Sequence, residues 1–156
     1  MAVPRSRLRL TDEELERFLT EQRTLRLATV GDDGVPHVVP LWFVWHDGAI
    51  WLNSLAKSER HGHLRAGRPV GLVLDDGERY EELRGVRMSG RPEIVADDDP
   101  VRVEAYRRFA RKYFGVDELP NQRSYETVRI VPDEVASWDF RKIPSGADKK
   151  VGLSKD

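Results

Sequence analysis

The densest grouping of side chains able to hold an anion is Lys57-Ser58-Glu59-Arg60, with Ser54 just before it and Arg65 just after. A strand ending near Ser54 and a helix starting near Ser58 would set these cations and hydroxyls beside unpaired backbone N–H groups. A phosphate placed there gains charge-assisted bonds and the field of the helix end. The alternative is a solvated basic helix face with Ser58 as its N-cap. Other chemistry is sparse. His61 and His63 are two apart on that helix and point in different directions, unlike the i, i+4 pair of a helical metal site, so no metal is expected. His37 suits either a core or a pocket lining. Glu78, Glu81 and Glu82 flank Tyr80 in an acidic loop, and such loops are ordinarily just solvated. No catalytic triad, nucleophile elbow, Gly-rich phosphate loop or paired-carboxylate spacing is present. If the protein is an enzyme, a bound cofactor carries the chemistry.

The elements that must position this corner read as short strands and tight turns. A strand over 25–30 leads through Gly31-Asp32-Asp33-Gly34 into a long apolar strand over 35–45, and the turn His46-Asp47-Gly48 leads into a strand over 49–54. In the long strand, Val35, His37, Val39, Leu41, Phe43 and Trp45 alternate with Pro36, Val38, Pro40, Trp42 and Val44. Both faces are apolar, so one should meet the barrel interior and the other a ligand or a second subunit. Pro40 removes a ladder donor and predicts an edge, a bulge or an interruption at that point. Of the tryptophans Trp42, Trp45 and Trp51, Trp42 is expected to leave the core, because it shares a face with Pro40; at least one indole N–H should meet a polar group.

Upstream, Thr11 and Glu14 make a capping box for a helix whose apolar stripe is Leu15, Phe18 and Leu19. Downstream come a strand over 69–75, the acidic loop, and a strand over 83–95 with Gly85 and Gly90 marking curvature. A second helix opens at Asp97-Asp98-Asp99-Pro100, carries Tyr106, Phe109, Ala110, Tyr113 and Phe114, and stops at Gly115. Two short strands, 127–131 and 135–140, separated by Pro132-Asp133-Glu134, complete the order. The expected fold is mainly β (α+β), a small antiparallel barrel with peripheral helices.

A chain of 156 residues fits one domain. The expected divisions are an N-terminal arm over 1–10, a barrel domain over 11–142 and a flexible C-terminal tail over 143–156. The 26 Lys and Arg nearly cancel the 27 Asp and Glu, which argues against nucleic acid or an anionic membrane as partner. The absence of cysteine excludes disulfides, thiol catalysis and thiolate metal sites. With no leader or spanning segment legible, a cytoplasmic location is expected.

The blocks Gly34-Val35-Pro36-His37-Val38-Val39-Pro40-Leu41-Trp42-Phe43, Ile50-Trp51-Leu52-Asn53-Ser54 and Lys57-Ser58-Glu59-Arg60 resemble the pyridoxamine 5'-phosphate oxidase-like split-barrel superfamily. Tyr80-Glu81-Glu82-Leu83-Arg84-Gly85-Val86 and Ser137-Trp138-Asp139-Phe140-Arg141-Lys142 resemble its B group of flavin- and deazaflavin-dependent oxidoreductases. The resemblance implies a six- or seven-stranded split barrel forming a homodimer with cofactor sites in the dimer groove. It implies a ring held along Val39, Pro40, Leu41 and Trp42, and a phosphate held by Asn53, Ser54, Lys57, Ser58 and Arg60. Tyr80, Trp138 and Arg141 are the implied substrate-pocket residues. The implied cofactor is FMN or the deazaflavin coenzyme F-420. Val39 stands where tight FMN binders usually carry a basic residue, and the C-terminal arginines of true pyridoxamine phosphate oxidases are not reproduced.

The resulting expectation is an oxidoreductase moving a hydride between the bound cofactor and a small unsaturated or quinone-like substrate. The alternative is a non-catalytic holder or sensor of flavin or haem, with His37, His61 or His63 as candidate axial ligands. A nucleic-acid-binding barrel is the third and weakest, because no basic stripe is present.

Overall fold

The computed structural model of the chain describes residues 4–120 and 123–144. Its elements run α1 (Asp12–Glu21), β1 (Thr24–Val30), β2 (Pro36–Trp42), β3 (Val44–His46), β4 (Ala49–Leu55), α2 (Glu59–Arg65), β5 (Val70–Asp76), β6 (Arg84–Val95), α3 (Pro100–Phe114) and β7 (Tyr125–Asp139). The strands make one antiparallel sheet in the order β2-β1-β5-β6-β7-β4-β3. The sheet curls into a half-barrel, so that β2 from one end of the order approaches β4 near the other. Leu25, Leu27, Phe43, Ile50, Leu52, Leu72, Leu74, Val86, Met88, Val128 and Ile130 fill its inside.

Local signals set the frame. Thr11 Oγ1 accepts from Glu14 N and Glu14 Oε2 accepts from Thr11 N, the reciprocal capping box, which contributes about 1 kcal/mol. The helix so started buries Phe18 and Leu19 completely, each contributing about 2 kcal/mol by removal from water. Asp47 (φ 52°) and Gly48 (φ 68°) make the tight turn from β3 to β4, where both central residues need the left-handed region. Trp51 is buried and its indole donates to His46 O, while Trp45 donates to Glu16 Oε2. The last residue of the expected arm, Leu10, packs into the core and its N–H donates to Ser137 Oγ. Residues 145–156 of the expected tail lie outside the described residues. Among the described residues, no helix is long and apolar enough to cross a membrane.

Two strands differ from the sequence expectation. The strand expected over 35–45 is two strands, and the break falls at Phe43 rather than Pro40. Pro40 stays in β2 opposite Arg26 because β2 is an edge strand, where a missing donor is tolerated. Phe43 leaves the ladder because α3 captures its backbone: its N–H donates to Tyr113 Oη at 3.0 Å. Its carbonyl accepts from the same hydroxyl at 2.8 Å. Similarly, 127–131 and 135–140 are one strand, β7. A register shift absorbs the proline: Ser89 faces Glu134 and Gly90 faces Pro132, leaving Asp133 as the extra residue. Gly90 permits this approach, since a β-carbon there would lie 2.7 Å from Val131 O.

Candidate functional site

Where β2 approaches β4, Pro40, Leu41 and Trp42 line a cavity of about 500 Å³ together with Thr24, Asn53, Phe109, Phe114 and Tyr125. β2 shows the expected alternation. His37, Val39 and Leu41 are half-buried against the barrel, and Pro36, Val38, Pro40 and Trp42 stay exposed. Phe109, Tyr113 and Phe114 of α3 stand over the same place, while Ala105 and Ala110 are the residues that the helix buries. Trp42 stacks on Tyr113 with ring centroids 4.4 Å apart, and Phe114 meets it edge-on at 5.8 Å. Asn53 is the main polar group reaching the cavity from β4, and Thr127 Oγ1 lies 3.4 Å from its Oδ1.

Beyond Asn53 the chain enters the corner that the sequence marks as anion-holding. Ser54 is fully buried and its Oγ has no hydrogen-bond partner among the described residues. Arg60 Nε is likewise buried without a partner, and burial pulls the guanidinium's pKa down. Lys57 is exposed and makes no ion pair among the described residues. Two polar groups without partners and an open ammonium within residues 54–60 fit an acidic tail, because an anion would satisfy what the protein leaves unpaired. Ser58 does something else. Its Oγ accepts from His61 N and donates to Leu55 O, so the hydroxyl is engaged as the N-cap of α2. Arg65 is also committed: both its bonds to Glu126, at 2.7 and 2.8 Å, close an ion pair. Glu126 also binds the buried His61 through Nε2 at 2.5 Å, which fastens α2 to the start of β7.

A second, more polar cavity of about 850 Å³ shares Asn53 and Tyr125 with the first and carries Arg102 and Arg123. Arg102 is spent on Asp97, at 3.0 Å, and on Thr127 Oγ1, at 3.1 Å.

Residues 11–139 match the pyridoxamine 5'-phosphate oxidase family. The chain belongs to that family. It is similar to the conserved hypothetical protein Rv2991 of Mycobacterium tuberculosis, with 33% identity over 90% of this chain and 92% of that one and a TM-score of 0.77. An FAD-binding protein of Mesorhizobium loti shares the fold at 24% identity, over 82% of this chain and 94% of that one, with a TM-score of 0.66. So does an F-420 reductase, at 22% identity over 78% and 94% of the two chains and a TM-score of 0.62. No curated protein sequence matches.

In this member of the pyridoxamine 5'-phosphate oxidase family, the three expected substrate-pocket residues stand apart from the cavity. Tyr80 lies against Phe140, with ring centroids 5.0 Å apart, and is 54% exposed. Trp138 packs its ring over Gly85. Arg141 is held by Asp139 through bonds of 2.8 and 2.6 Å, which pull the Asp139 carboxyl below its usual range. All three sit at the far end of β7 from Tyr125. The structure thus joins Pro40, Leu41, Trp42 and Asn53, places Ser54, Lys57 and Arg60 next along the chain, and leaves Tyr80, Trp138 and Arg141 elsewhere in the same chain.

Thr24, Phe109, Phe114 and Tyr125 are lining residues that the sequence did not assign to the cavity. The only signal for the two phenylalanines was a helical stripe, and a stripe reports an apolar face without saying what it covers.

Proposed function

We propose that this protein is an oxidoreductase that uses a flavin or deazaflavin, FMN or coenzyme F-420, to move a hydride to or from a small unsaturated or quinone-like substrate. The observation that carries this reading is an aromatic-walled cavity reached by Asn53, whose chain continues into a stretch where Ser54 Oγ and Arg60 Nε have no partner among the described residues. Pro40, Leu41 and Trp42 would lie along the ring and shield it from water, with Val39, which does not line the cavity, continuing the strand beside them. Asn53 would bridge ring and tail, and Ser54, Lys57 and Arg60 would hold the acidic tail. Bound there, the cofactor supplies the hydride chemistry, and the protein orients substrate against it. The FAD-binding and F-420 reductase relatives support a flavin-type ring.

The second reading is a non-catalytic flavin or haem holder. It is favoured by one observation: the cavity lining offers Thr24, Asn53 and Tyr125 as its polar side chains and no acid–base pair. An absorbance spectrum of the purified protein separates haem from flavin.

A homodimer belongs to the proposal as well. Val38 is 64% exposed and Trp42 47% exposed on the outer face of an edge strand, an apolar strip suited to a second copy of the chain.

The test is titration of the protein with FMN, FAD and F-420, oxidised and reduced, followed by fluorescence. One of them should bind, at least tenfold more weakly to the Lys57→Ala/Arg60→Ala double variant. The reduced complex should then be reoxidised by quinone-like acceptors. Binding of none would overturn the proposal, and binding without turnover would favour the holder.

A further inference from the structure

Away from the cavity, β2 and α2 bring together three side chains that the proposed function does not use. His37 comes from β2, and Glu59 and His63 are i, i+4 neighbours on one face of α2. Their candidate ligand atoms all lie within 4.8 Å of one another. His37 Nε2 is 3.8 Å from Glu59 Oε1, and the two imidazoles meet edge to face with centroids 5.1 Å apart. We propose that His37, Glu59 and His63 bind one divalent transition-metal ion of the zinc class, with a fourth position left to water or another ligand.

The donor set carries the choice of metal. Two imidazoles and one carboxylate suit zinc, nickel or copper, whereas magnesium and calcium take mostly oxygen ligands. A tetrahedral set with bonds of about 2.0–2.2 Å holds its donors about 3.3 Å apart, so the cluster must draw in by roughly 1 Å. The side chains that must move are free to do so: Glu59 is 71% exposed and His37 34% exposed.

His63, in contrast, is already fixed. Its Nδ1 lies 3.0 Å from Oγ1 of Thr29, a residue buried in β1. With Nδ1 donating to that hydroxyl, the lone pair sits on Nε2. An outer bond of this kind is how a metal-binding histidine is usually oriented. Gly31 clears the approach, since a β-carbon there would stand 2.6 Å from His63 Nε2. An ion so held would tie the edge strand β2 to α2 and, through Thr29, to β1. Binding should therefore stabilise the fold as well as fill the site.

The experiment needs no flavin, so its outcome is independent of the proposed oxidoreductase function. Full-length protein stripped with a chelator is titrated with zinc chloride in competition with a chromophoric chelator, and with cobalt(II) followed by visible absorption. Expected are one ion per chain, the visible bands of low-coordinate cobalt, and a rise in thermal midpoint with zinc. Affinity should fall at least tenfold in His37→Ala and in Glu59→Gln, and the thermal rise should vanish. Both positions are exposed enough for the variants to fold, which circular dichroism checks. His46→Ala, at the end of β3, should bind as the wild type does. Three results would overturn the proposal: no saturable binding, binding that survives both substitutions, or an equal loss in His46→Ala.

Discussion

Trp42 and Tyr113 lie face to face, with ring centroids 4.4 Å apart and planes 11° from parallel. One comes from the edge strand β2 and the other from the last turn of α3, so the stack joins sheet to helix above the cavity. The Tyr113 hydroxyl is itself anchored, accepting from Phe43 N and lying 2.6 Å from Arg23 O. Burial raises the pKa of this phenol, which keeps its proton, and hence its donor role, through the neutral range.

Trp42→Ala removes one wall of the cavity. Loss of an aromatic stack and its buried area is worth about 1–3 kcal/mol, so affinity for the flavin or deazaflavin should fall about tenfold to a hundredfold. Global stability should fall by only about 0.5–1.5 kcal/mol, the worth of the stack on Tyr113, because the indole is half exposed. Fluorescence titration and urea denaturation measure the two effects separately. Undiminished cofactor affinity would remove Trp42 from the ring site.

Lys112 predicts a pH dependence of stability. Its ammonium donates to Gln22 O at 2.5 Å and to Phe43 O at 3.3 Å, close over the Phe43 ring. Burial first, and the charge of Arg23 second, lower its pKa from 10.5 to about 8. The folded state therefore holds this proton less tightly than the unfolded chain does. The resulting destabilisation is complete below about pH 8 and is relieved as pH climbs from about 8 to 10.5. In Lys112→Met this dependence disappears. The stability of wild type minus variant, read from urea midpoints, should be flat below pH 8 and slope upward over that window. A difference flat throughout would show that Lys112 titrates normally.

What the sequence made legible was local. The capping box at Thr11, the Asp99-Pro100 helix start, the Gly115 stop and the Asp47-Gly48 turn are each decided by groups within a few residues, and each stands where expected. So does the outward face of β2, Pro36, Val38, Pro40 and Trp42, because alternation along a strand dictates which side chains face out. What stayed hidden depends on distant partners. The break at Phe43 is made by Tyr113, 70 positions away, and Arg65 is neutralised by Glu126, 61 positions away. The histidine that sequence sets nearest to His63 is His61, whereas folding sets it beside His37 of another element. Pro132 suggested a gap between strands because the bulge that absorbs it is completed by Gly90 on β6.

The outer face of β2 makes the last prediction. Val38 stands 64% exposed between Pro36 and Pro40, and no contact within the described residues accounts for an apolar side chain on that edge. In the proposed homodimer it would be desolvated by the second chain, so Val38→Glu would bury a carboxylate without a partner. The penalty of an unpaired buried charge is several kcal/mol, enough to separate the subunits at micromolar concentration. In the isolated chain the same substitution is nearly neutral, because Val38 faces water and an edge strand tolerates charge. Light scattering coupled to gel filtration should thus give twice the chain mass for the wild type and the single chain mass for Val38→Glu, with matching circular dichroism. Trp42 lies on the same face as Val38, so the monomeric variant should also bind cofactor more weakly. A wild-type protein that elutes as a monomer would refute the dimer and leave this strip to another partner.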